Sequence, residues 1–360
     1  MKALIAMSGG VDSSVAACMM VEKGYECIGC TMKLYANDDI GISKEHTCCS
    51  LDDVEDARSV ANNLGIPYYV MNFSELFKER VIDNFIDCYE NGRTPNPCVE
   101  CNRYLKFEKL YERARELGCD KVVTGHYARI EETEDGYLLK KALDPSKDQS
   151  YVLYKLTQDM LAHTLFPLGE YCKDDVRTIA EKHGFINADK PDSQDICFVP
   201  DGDYVSAIKR FTNREYPSGD FVDAEGNVLG THKGIIAYTI GQRRGLGISA
   251  KESLYVCDIC PSENKVVLGS NSDLFSREVY VENMNWISGG CDKKEIRCKA
   301  KIRYRQKETD ATVYVLEDNF IKIVFDEPQR AVTPGQSAVL YNGDIVLGGG
   351  TIIKNNDMSV

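Results

Sequence analysis

Up to about residue 130, short apolar runs alternate with longer stretches in which apolar residues recur every three or four positions. KALIAM, YECIGCTM, IPYYVMNF and KVVTG have the length and apolar density of buried strands. Between them, SLDDVEDARSVANNLG puts Val54, Ala57, Ala61 and Leu64 on one helical face, with Ser50 placed to cap it and Gly65 to close it. VAACMMVEKG reads as another helix, with Val15, Cys18, Met19 and Glu22 on its packing face and Gly24 at its end. Strands alternating with helices predict an α/β fold with a doubly wound parallel sheet, whose ligands bind beyond the carboxyl ends of the strands. From 131 to 200 the pattern predicts further helix, as in DDVRTIAEKHG, followed by the polar loop KPDSQDICFVPDGD.

Past about 205 the helical period fades, and short runs such as GIIAYTI, LYVCDI, KVVLG, REVYVENMNWI, RCKAKIRYR, ATVYVL, FIKIVF, SAVLYNG and DIVLGG recur between turn residues. This texture predicts a catalytic α/β domain over 1–204, a small central domain over 205–275 and a β-barrel over 276–360. Composition narrows the function classes. No apolar run approaches the ~20 residues of a membrane helix, and KALIAM is interrupted too early for a signal peptide, so the expected setting is the cytoplasm, with no membrane partner. There the 15 cysteines are expected as thiols, most of them packing. A formal net charge of -13 argues against general attraction to polyanions, so any nucleic-acid site must be a local basic patch.

The densest chemistry follows the first strand. In MSGGVDSS two glycines allow a close backbone approach to phosphate, a helix N-terminus follows, Ser8, Ser13 and Ser14 offer hydroxyls, and Asp12 can hold Mg2+. The Gly-Lys-Ser/Thr of an ordinary ATPase loop is missing, which serves a γ-phosphate poorly and a departing pyrophosphate well. The loop therefore points to cleavage between the α- and β-phosphates and transfer of an adenylyl group to a substrate oxygen; the competing reading is a plain Gly-Ser turn. SGGVDS resembles the fingerprint of the PP-loop ATP pyrophosphatases.

TPNPCVECNRYLKF sets Cys98 and Cys101 in a Cys-x-x-Cys, after which a helix is expected with Tyr104, Phe107, Tyr111 and Ala114 on one face. Cys101 near that helix's N-terminus is expected to have a lowered thiol pKa. No second pair completes a zinc ribbon nearby. A third thiol would come from far away, with Cys197 in PDSQDICFV the candidate and Cys48 and Cys49 weaker ones. In RCKAKIRYR, Arg297, Lys299, Lys301, Arg303 and Arg305 alternate with Cys298, Ala300, Ile302 and Tyr304, giving either a phosphate-tracking face or a charge-blunted edge strand. Gln242, Arg243 and Arg244 add a second basic turn, and His126 follows the KVVTG strand at its ligand-binding end.

Taken together, SGGVDSSVAA, LDDVEDAR, GRTPNPCVECNRYLKF, VVTGHYARI, DPSKDQSYVLY, LFPLGE, DKPDSQDICF, YTIGQRRGLGI, KIRYRQ and FDEPQRAVTPGQSAVLY resemble the tRNA-specific 2-thiouridylases, over nearly the whole chain. The resemblance implies a PP-loop domain, a small central domain and a C-terminal β-barrel. It implies ATP-dependent 2-thiolation of the wobble uridine of tRNA, with sulfur delivered by a cysteine desulfurase or a relay protein. Residue by residue, it implies ATP contacts from Ala6, Met7, Ser8, Gly9, Gly10, Val11, Asp12, Ser13 and Met32, and a nucleotide contact from Gly125. For tRNA it implies His126, then Asn96, Pro97 and Cys98 beside the target base, and Lys147, Asp148, Gln149, Arg303, Tyr304 and Gln336 as grips. Cys197 corresponds to the persulfide carrier and Cys101 to its partner. One departure stands out: many members have Asp where this chain has Cys98. Cys98, Cys101 and Cys197 could then hold three irons of a 4Fe-4S cluster with the fourth open, so persulfide relay and cluster-borne sulfide both stand. Two other functions remain open: a PP-loop ligase or amidotransferase for a small metabolite, and a noncatalytic RNA-binding or iron-sulfur carrier protein.

Overall fold

The computed structural model describes residues 1–35, 51–191, 196–288, 293–317 and 319–354. Ser50, Cys48 and Cys49 lie outside them, as do residues 192–195 of the loop that leads to Cys197. The chain divides into two compact units, the first of Met1–Ile82, Pro97–Tyr204 and Asp344–Val346, the second of Asp83–Asn96, Val205–Gly343 and Leu347–Val360.

The first unit is built on an all-parallel sheet of β1 (Lys2–Ala6), β2 (Glu26–Lys33), β3 (Tyr68–Asn72), β4 (Lys121–Val123) and β7 (Thr164–Leu165), in the order β3-β2-β1-β4-β7. The two-residue β7 is too short for any period to reveal. Strand order reverses between β1 and β4, so the loops leaving these two strands flank the crevice where open parallel sheets take their ligands. Helix α1 (Val11–Glu22) departs from the one-faced helix expected: Val11 and every residue from Ser13 to Met20 are buried, while Glu22 is exposed. A helix apolar all round is a core helix, and α1 packs with Ala57, Val60 and Ala61 of α2 (Leu51–Asn63) and with Val176 and Ala180 of the helix Lys173–Lys182.

Helix α3 (97–116) begins one turn earlier than expected and carries the Cys-x-x-Cys inside it. Its middle, Cys101–Lys109, is π-helical. The buried series Cys101, Leu105, Leu110, Ala114 therefore steps by four, five and four, and Tyr104 and Tyr111 fall to the half-exposed side. The amphipathic α4 is Lys173–Lys182. Between α3 and α4 lies a hairpin where helix was expected, β5 (Ala128–Thr133) and β6 (Gly136–Lys141), turning at Glu134 and Asp135 just ahead of Gly136; the Asp-Gly pair is a turn signal outweighed by the neighbouring helical texture.

After Asp83–Asn96, the second unit takes up the chain again at Val205, within α5 (Tyr204–Thr212), most of which lies inside the stretch where helix was expected to end. Next come β8 (Gly219–Val222), β9 (Val228–His232), β10 (Tyr255–Cys260) and β11 (Lys265–Gly269), a sheet ordered β10-β11-β8-β9. GIIAYTI is a 3-10 turn at Ile235–Ala237 rather than a strand. Strands β12 (Phe275–Trp286), β13 (Glu295–Lys301), β14 (Thr309–Glu317), β15 (Phe320–Arg330), β16 (Ser337–Asn342) and β17 (Ile345–Ile353) follow in the order β12-β15-β14-β13-β16-β17, and β12 pairs again with β17. That closes an antiparallel barrel filled by alternate residues such as Val279, Val281, Ile296, Val313, Ile321, Ile323 and Phe325.

Phe325 is 1 % exposed at the centre of this core. Phe325→Ala is expected to destabilise the barrel by about 3–5 kcal/mol through lost transfer energy and a residual cavity. Urea unfolding followed by the fluorescence of Trp286, the chain's only tryptophan and packed on the same core, measures it.

Candidate active site

The loop from Met7 to Gly10 is fixed by the strand it leaves. Met7 N–H donates to the Cys30 carbonyl at 2.8 Å, and the Met7 carbonyl accepts from Thr31 Oγ1 at 2.6 Å. Gly9 then turns at φ +76°, and a Cβ there would sit 2.4 Å from the Asp53 carbonyl oxygen, so this position needs glycine on both counts. The expectation that three serine hydroxyls face a phosphate is corrected by their bonds. Ser13 Oγ accepts from the Ser8 N–H at 3.1 Å and donates to the Gly10 carbonyl at 2.9 Å, while Ser14 Oγ donates to the same carbonyl at 3.2 Å. Both close the turn from inside, and only Ser8 is exposed. Gly10 caps α1 without a side-chain hydrogen bond, so the anion site consists of the first amides of α1 and the dipole behind them.

Gly125, after β4, is a half-buried neighbour of that loop: a Cβ on it would lie 2.8 Å from the carbonyl carbon of Asp12 and 2.9 Å from Ser13 N. Ala6 ends β1, Val11 begins α1, and Met32 lies at the carboxyl end of β2, on the loop's side of the sheet.

The missing lysine arrives from elsewhere in the chain. Lys173, at the first turn of α4 and 8 % exposed, donates from Nζ to both carboxylate oxygens of Asp12, at 2.7 and 2.8 Å. Tyr127 OH donates to Asp12 Oδ1 at 2.7 Å, and the Tyr127 backbone is held by Gln149, whose Oε1 accepts its N–H at 2.9 Å. A second lysine, Lys190, bonds Asp53 Oδ1 at 2.6 Å, Asp56 Oδ2 at 2.8 Å and the Gly9 carbonyl at 3.4 Å; Asn187 donates to that same carbonyl at 2.9 Å. Sequence reading missed Lys173, Tyr127, Asn187 and Lys190. For Lys173 one signal existed: a lysine in the first turn of a helix opposes the helix dipole and needs a reason. A single carboxylate beside the space for phosphates is the donor set that Mg2+ takes, so Asp12 fits the ion on chemistry, with Lys173 as the cation that balances it otherwise.

The thiols depart from expectation. Cys98 is exposed in the first turn of α3, whereas Cys101 is buried a turn later, and burial pushes its thiol up to about 11, against a smaller lowering by Lys106 and with a smaller raising by Cys98. Desolvation overrides the helix-dipole lowering because the sulfur faces the core. The turn is anchored by the Lys155–Glu100 ion pair and by Asn102 Nδ2 donating to the Val152 carbonyl at 3.1 Å. Cys197 is half-buried in a turn whose carbonyl accepts from Tyr35 OH at 2.8 Å. Cys98 raises the Cys101 pKa from the preceding turn; among the described residues, Cys98, Cys101 and Cys197 do not gather within the 4.8 Å of a single-ion site.

His126 is a buried ring between Phe107 and Phe166, each 5.8 Å away, with Nδ1 2.7 Å from Thr124 Oγ1. Burial lowers its pKa well below 6.5, with Lys106 adding to the effect, so the ring is neutral. Asp148 accepts from the N–H groups of Ala142 and Ser150 and from Ser150 Oγ, which makes it, like Gln149, a brace of its own loop; Lys147 is half-buried beside them.

In the second unit, Gln336 Nε2 donates to the carbonyls of Thr94 and Pro95, at 3.0 and 3.1 Å, immediately before Asn96; Pro97, in the first unit, is buried. The basic strand is shorter than expected: β13 stops at Lys301, and Arg303, Tyr304 and Arg305 lie in the following turn. Arg297 is spent on a bidentate pair with Asp326, and Arg303 Nη2 donates to the Ala331 carbonyl at 2.7 Å and to Thr333 Oγ1 at 3.0 Å. Tyr304 is exposed beneath Lys301, and Arg243 and Arg244 are exposed in their turn.

Family models match the chain in three pieces: residues 1–201 match a tRNA methyl transferase HUP domain, 206–270 a tRNA methyl transferase PRC-barrel domain and 276–352 an aminomethyltransferase beta-barrel domain. Among curated relatives, it is 54% identical over 356 residues to the tRNA-specific 2-thiouridylase MnmA of Clostridioides difficile, covering 98% of either chain. It is 54% identical over 354 residues to tRNA-specific 2-thiouridylase MnmA 1 of a Thermoanaerobacter species, covering 98% of this chain and 97% of that one. The corresponding protein of Acetivibrio thermocellus is 51% identical over 354 residues, with 98% and 99% covered.

Lys173→Met is expected to cost about 1–3 kcal/mol in urea unfolding, less than the about 3–5 kcal/mol of a fully enclosed pair, because the Asp12 side chain keeps 30% exposure. His126 sets a pH dependence. Above pH 6.5 its ring is neutral in both folded and unfolded chains; below it only the unfolded chain gains the proton, so stability falls as pH falls. The slope from this group approaches about 1.4 kcal/mol per pH unit, and His126→Phe is expected to flatten it when unfolding is compared between about pH 7 and pH 5.

Proposed function

The chain belongs to the tRNA-specific 2-thiouridylase family, and on that premise we propose that it uses ATP to replace the C2 oxygen of the wobble uridine of tRNA with sulfur. The observation that carries the reading is the lysine-free cradle at the β1–β4 crevice, with Asp12 and Lys173 supplying opposite charges beside the open amides of α1.

Uracil oxygen is a poor leaving group, so it must be activated first. The triphosphate lies along Ala6–Ser13, its charge met by the α1 amides and by Lys173, with the nucleoside bounded by Met32 and Gly125. The C2 oxygen attacks the α-phosphorus and pyrophosphate departs. Asp12 would hold Mg2+ together with phosphate oxygens; the ion, when bound, neutralises the charge gathering on pyrophosphate. Lys173, released from Asp12 as that carboxylate turns to the ion, is placed to follow the same charge. Sulfur then attacks C2, and the original oxygen leaves with AMP.

Cys197, half-buried rather than enclosed, is the thiol suited to carry a persulfide from a cysteine desulfurase or relay protein, and Cys101 is the partner that frees the sulfur by forming a disulfide. A second reading is favoured by the burial of Cys101, which keeps its thiol protonated unless something displaces the proton. Three soft thiol donors, Cys98, Cys101 and Cys197, suit a 4Fe-4S cluster, which when bound would present sulfide at its open iron. The tRNA would meet Asn96, Pro97, Cys98 and His126 near the base, with Lys147, Asp148, Gln149, Arg303, Tyr304 and Gln336 along its backbone. Exposed Tyr304 and the bonded Arg303 and Gln336 support the last group most directly. Among the described residues no helix is long and apolar enough to cross a membrane; the cytoplasm is the setting this reading expects, because its substrate is tRNA.

Incubated with ATP and unmodified tRNA, the protein is expected to form AMP only when tRNA is present and to yield 2-thiouridine on nucleoside analysis. AMP formation indifferent to tRNA would return the reading to a small-metabolite ligase. Cys197→Ala is expected to abolish thiouridine while AMP formation persists, and unchanged thiouridine in that variant would remove Cys197 from the path. Iron and acid-labile sulfide in anaerobically purified protein separate the two sulfur routes: stoichiometric amounts favour the cluster, their absence with retained activity the persulfide.

A further inference from the structure

Away from the nucleotide loop, at the other end of the same two helices, a second constellation has no part in the chemistry above. Cys18 and Glu22 lie four residues apart on α1, and therefore on one face. His183 is the residue that ends α4, and its Nε2 lies 3.3 Å from Glu22 Oε1. Cys18 Sγ, a Glu22 carboxylate oxygen and a ring nitrogen of His183 all lie within 4.8 Å of one another, the one such group of His, Cys, Asp and Glu among the described residues. We infer that Cys18, Glu22 and His183 form a site for a borderline divalent cation of the zinc class, spanning α1 and α4.

The donor set decides the class. One thiol, one imidazole and one carboxylate are the mixed S, N and O ligands that Zn2+ accepts, whereas Mg2+ and Ca2+ demand oxygen throughout. The separation of 3.3 Å between Nε2 and Oε1 is also the edge of a tetrahedron with bonds of about 2.0 Å, the length of zinc bonds to nitrogen and oxygen. Three protein ligands leave a fourth position for water. Cys18 is enclosed, while Glu22 is exposed and His183 half-exposed, so the ion enters from solvent and meets the thiol as its inner ligand. Coordination removes the thiol proton, which is why a cysteine kept protonated by its surroundings still qualifies.

The location gives the site a consequence. Asp12 and Lys173 join the N-terminal turns of α1 and α4, and Glu22 and His183 join their C-terminal turns, so the helices run side by side in the same direction. An ion at the second junction holds in register the two helices whose first junction is the ion pair beside the nucleotide loop.

Zn2+ titrated into the full chain in competition with a chromogenic chelator tests this, with Co2+ as a spectroscopic probe for thiolate coordination. A single equivalent is expected to bind, to raise the thermal midpoint, and to give a Co2+–thiolate charge-transfer band. Because three other thiols could take a soft metal, the Cys98→Ser/Cys197→Ser variant is measured alongside and is expected to keep both the equivalent and the band. Glu22→Gln changes an exposed side chain and leaves the fold intact, and His183→Gln keeps a polar side chain at a helix end. Each is expected to weaken binding by more than the ~10- to 100-fold that losing an outer-shell partner costs. Far-UV circular dichroism and ATP binding confirm that these variants are folded. Zinc bound equally well by Glu22→Gln and His183→Gln, or lost in the Cys98→Ser/Cys197→Ser variant, overturns the assignment.

Discussion

The pairing of Asp12 with Lys173 is the contact on which the candidate site turns. Asp12 is the first acidic residue of a helix buried on nearly every side, and a carboxylate there is favoured by the helix dipole while its side chain keeps 30% exposure. Lys173 is in the reverse position, a cation in the first turn of α4 where the dipole opposes it. Lys173 is unfavourable on its own helix end without Asp12, and the pair sets the N-termini of α1 and α4 side by side. An enclosed ion pair seldom adds stability beyond what apolar packing of equal volume would give. Its retention here is better explained by work the charges do: the pair can separate when phosphate and a divalent ion arrive, giving each charge a new partner of opposite sign.

That contact also explains why a glycine loop without its usual lysine still suits a nucleotide. The lysines nearest the loop, Lys173 on Asp12 and Lys190 on Asp53 and the Gly9 carbonyl, approach from segments beyond residue 170 and are placed by tertiary structure. Neither could be read from the local motif. What could be read were features whose cause is local: the strands β1 to β4 from their apolar runs, the turn at Gly9 from its residue type, the barrel strands from their alternation. The elements that escaped each had a physical reason. The two-residue β7 is shorter than any period, the β5–β6 hairpin follows so closely on helical texture that its Asp-Gly turn was outweighed, and the π-helical stretch of α3 shifts the buried face by one residue at Leu110.

The cysteines show the same division between what spacing encodes and what burial decides. Cys98 and Cys101 share a motif yet lie in opposite environments, one exposed in the first turn of α3 and one enclosed a turn deeper. A helix N-terminus lowers a thiol pKa only when the sulfur stays near solvent and the open amides; Cys101 is a turn too deep. The Cys101 thiol therefore ionises only when its proton is displaced, whereas exposed Cys98 carries no such burial. Cys30 and Cys298, pushed up to about 12 by burial, are packing residues in the expected sense.

An acidic chain that handles RNA must concentrate its positive charge, and the barrel shows how little alternation alone guarantees. Of the five basic positions expected on one strand face, Arg297 is neutralised by Asp326 across the sheet, and Arg303 and Arg305 leave the strand altogether. Leaving it is not a loss. In the turn, Arg303 is braced by the Ala331 carbonyl and Thr333 while Tyr304 is exposed, and a few residues on Gln336 clasps the carbonyls before Asn96. A guanidinium held in one orientation beside an exposed ring recognises a phosphate or a stacked base more selectively than a row of mobile charges, because less of its freedom remains to be lost on binding. Specific contact with a polyanion by a chain of net negative charge is then a matter of a few oriented groups rather than of total charge.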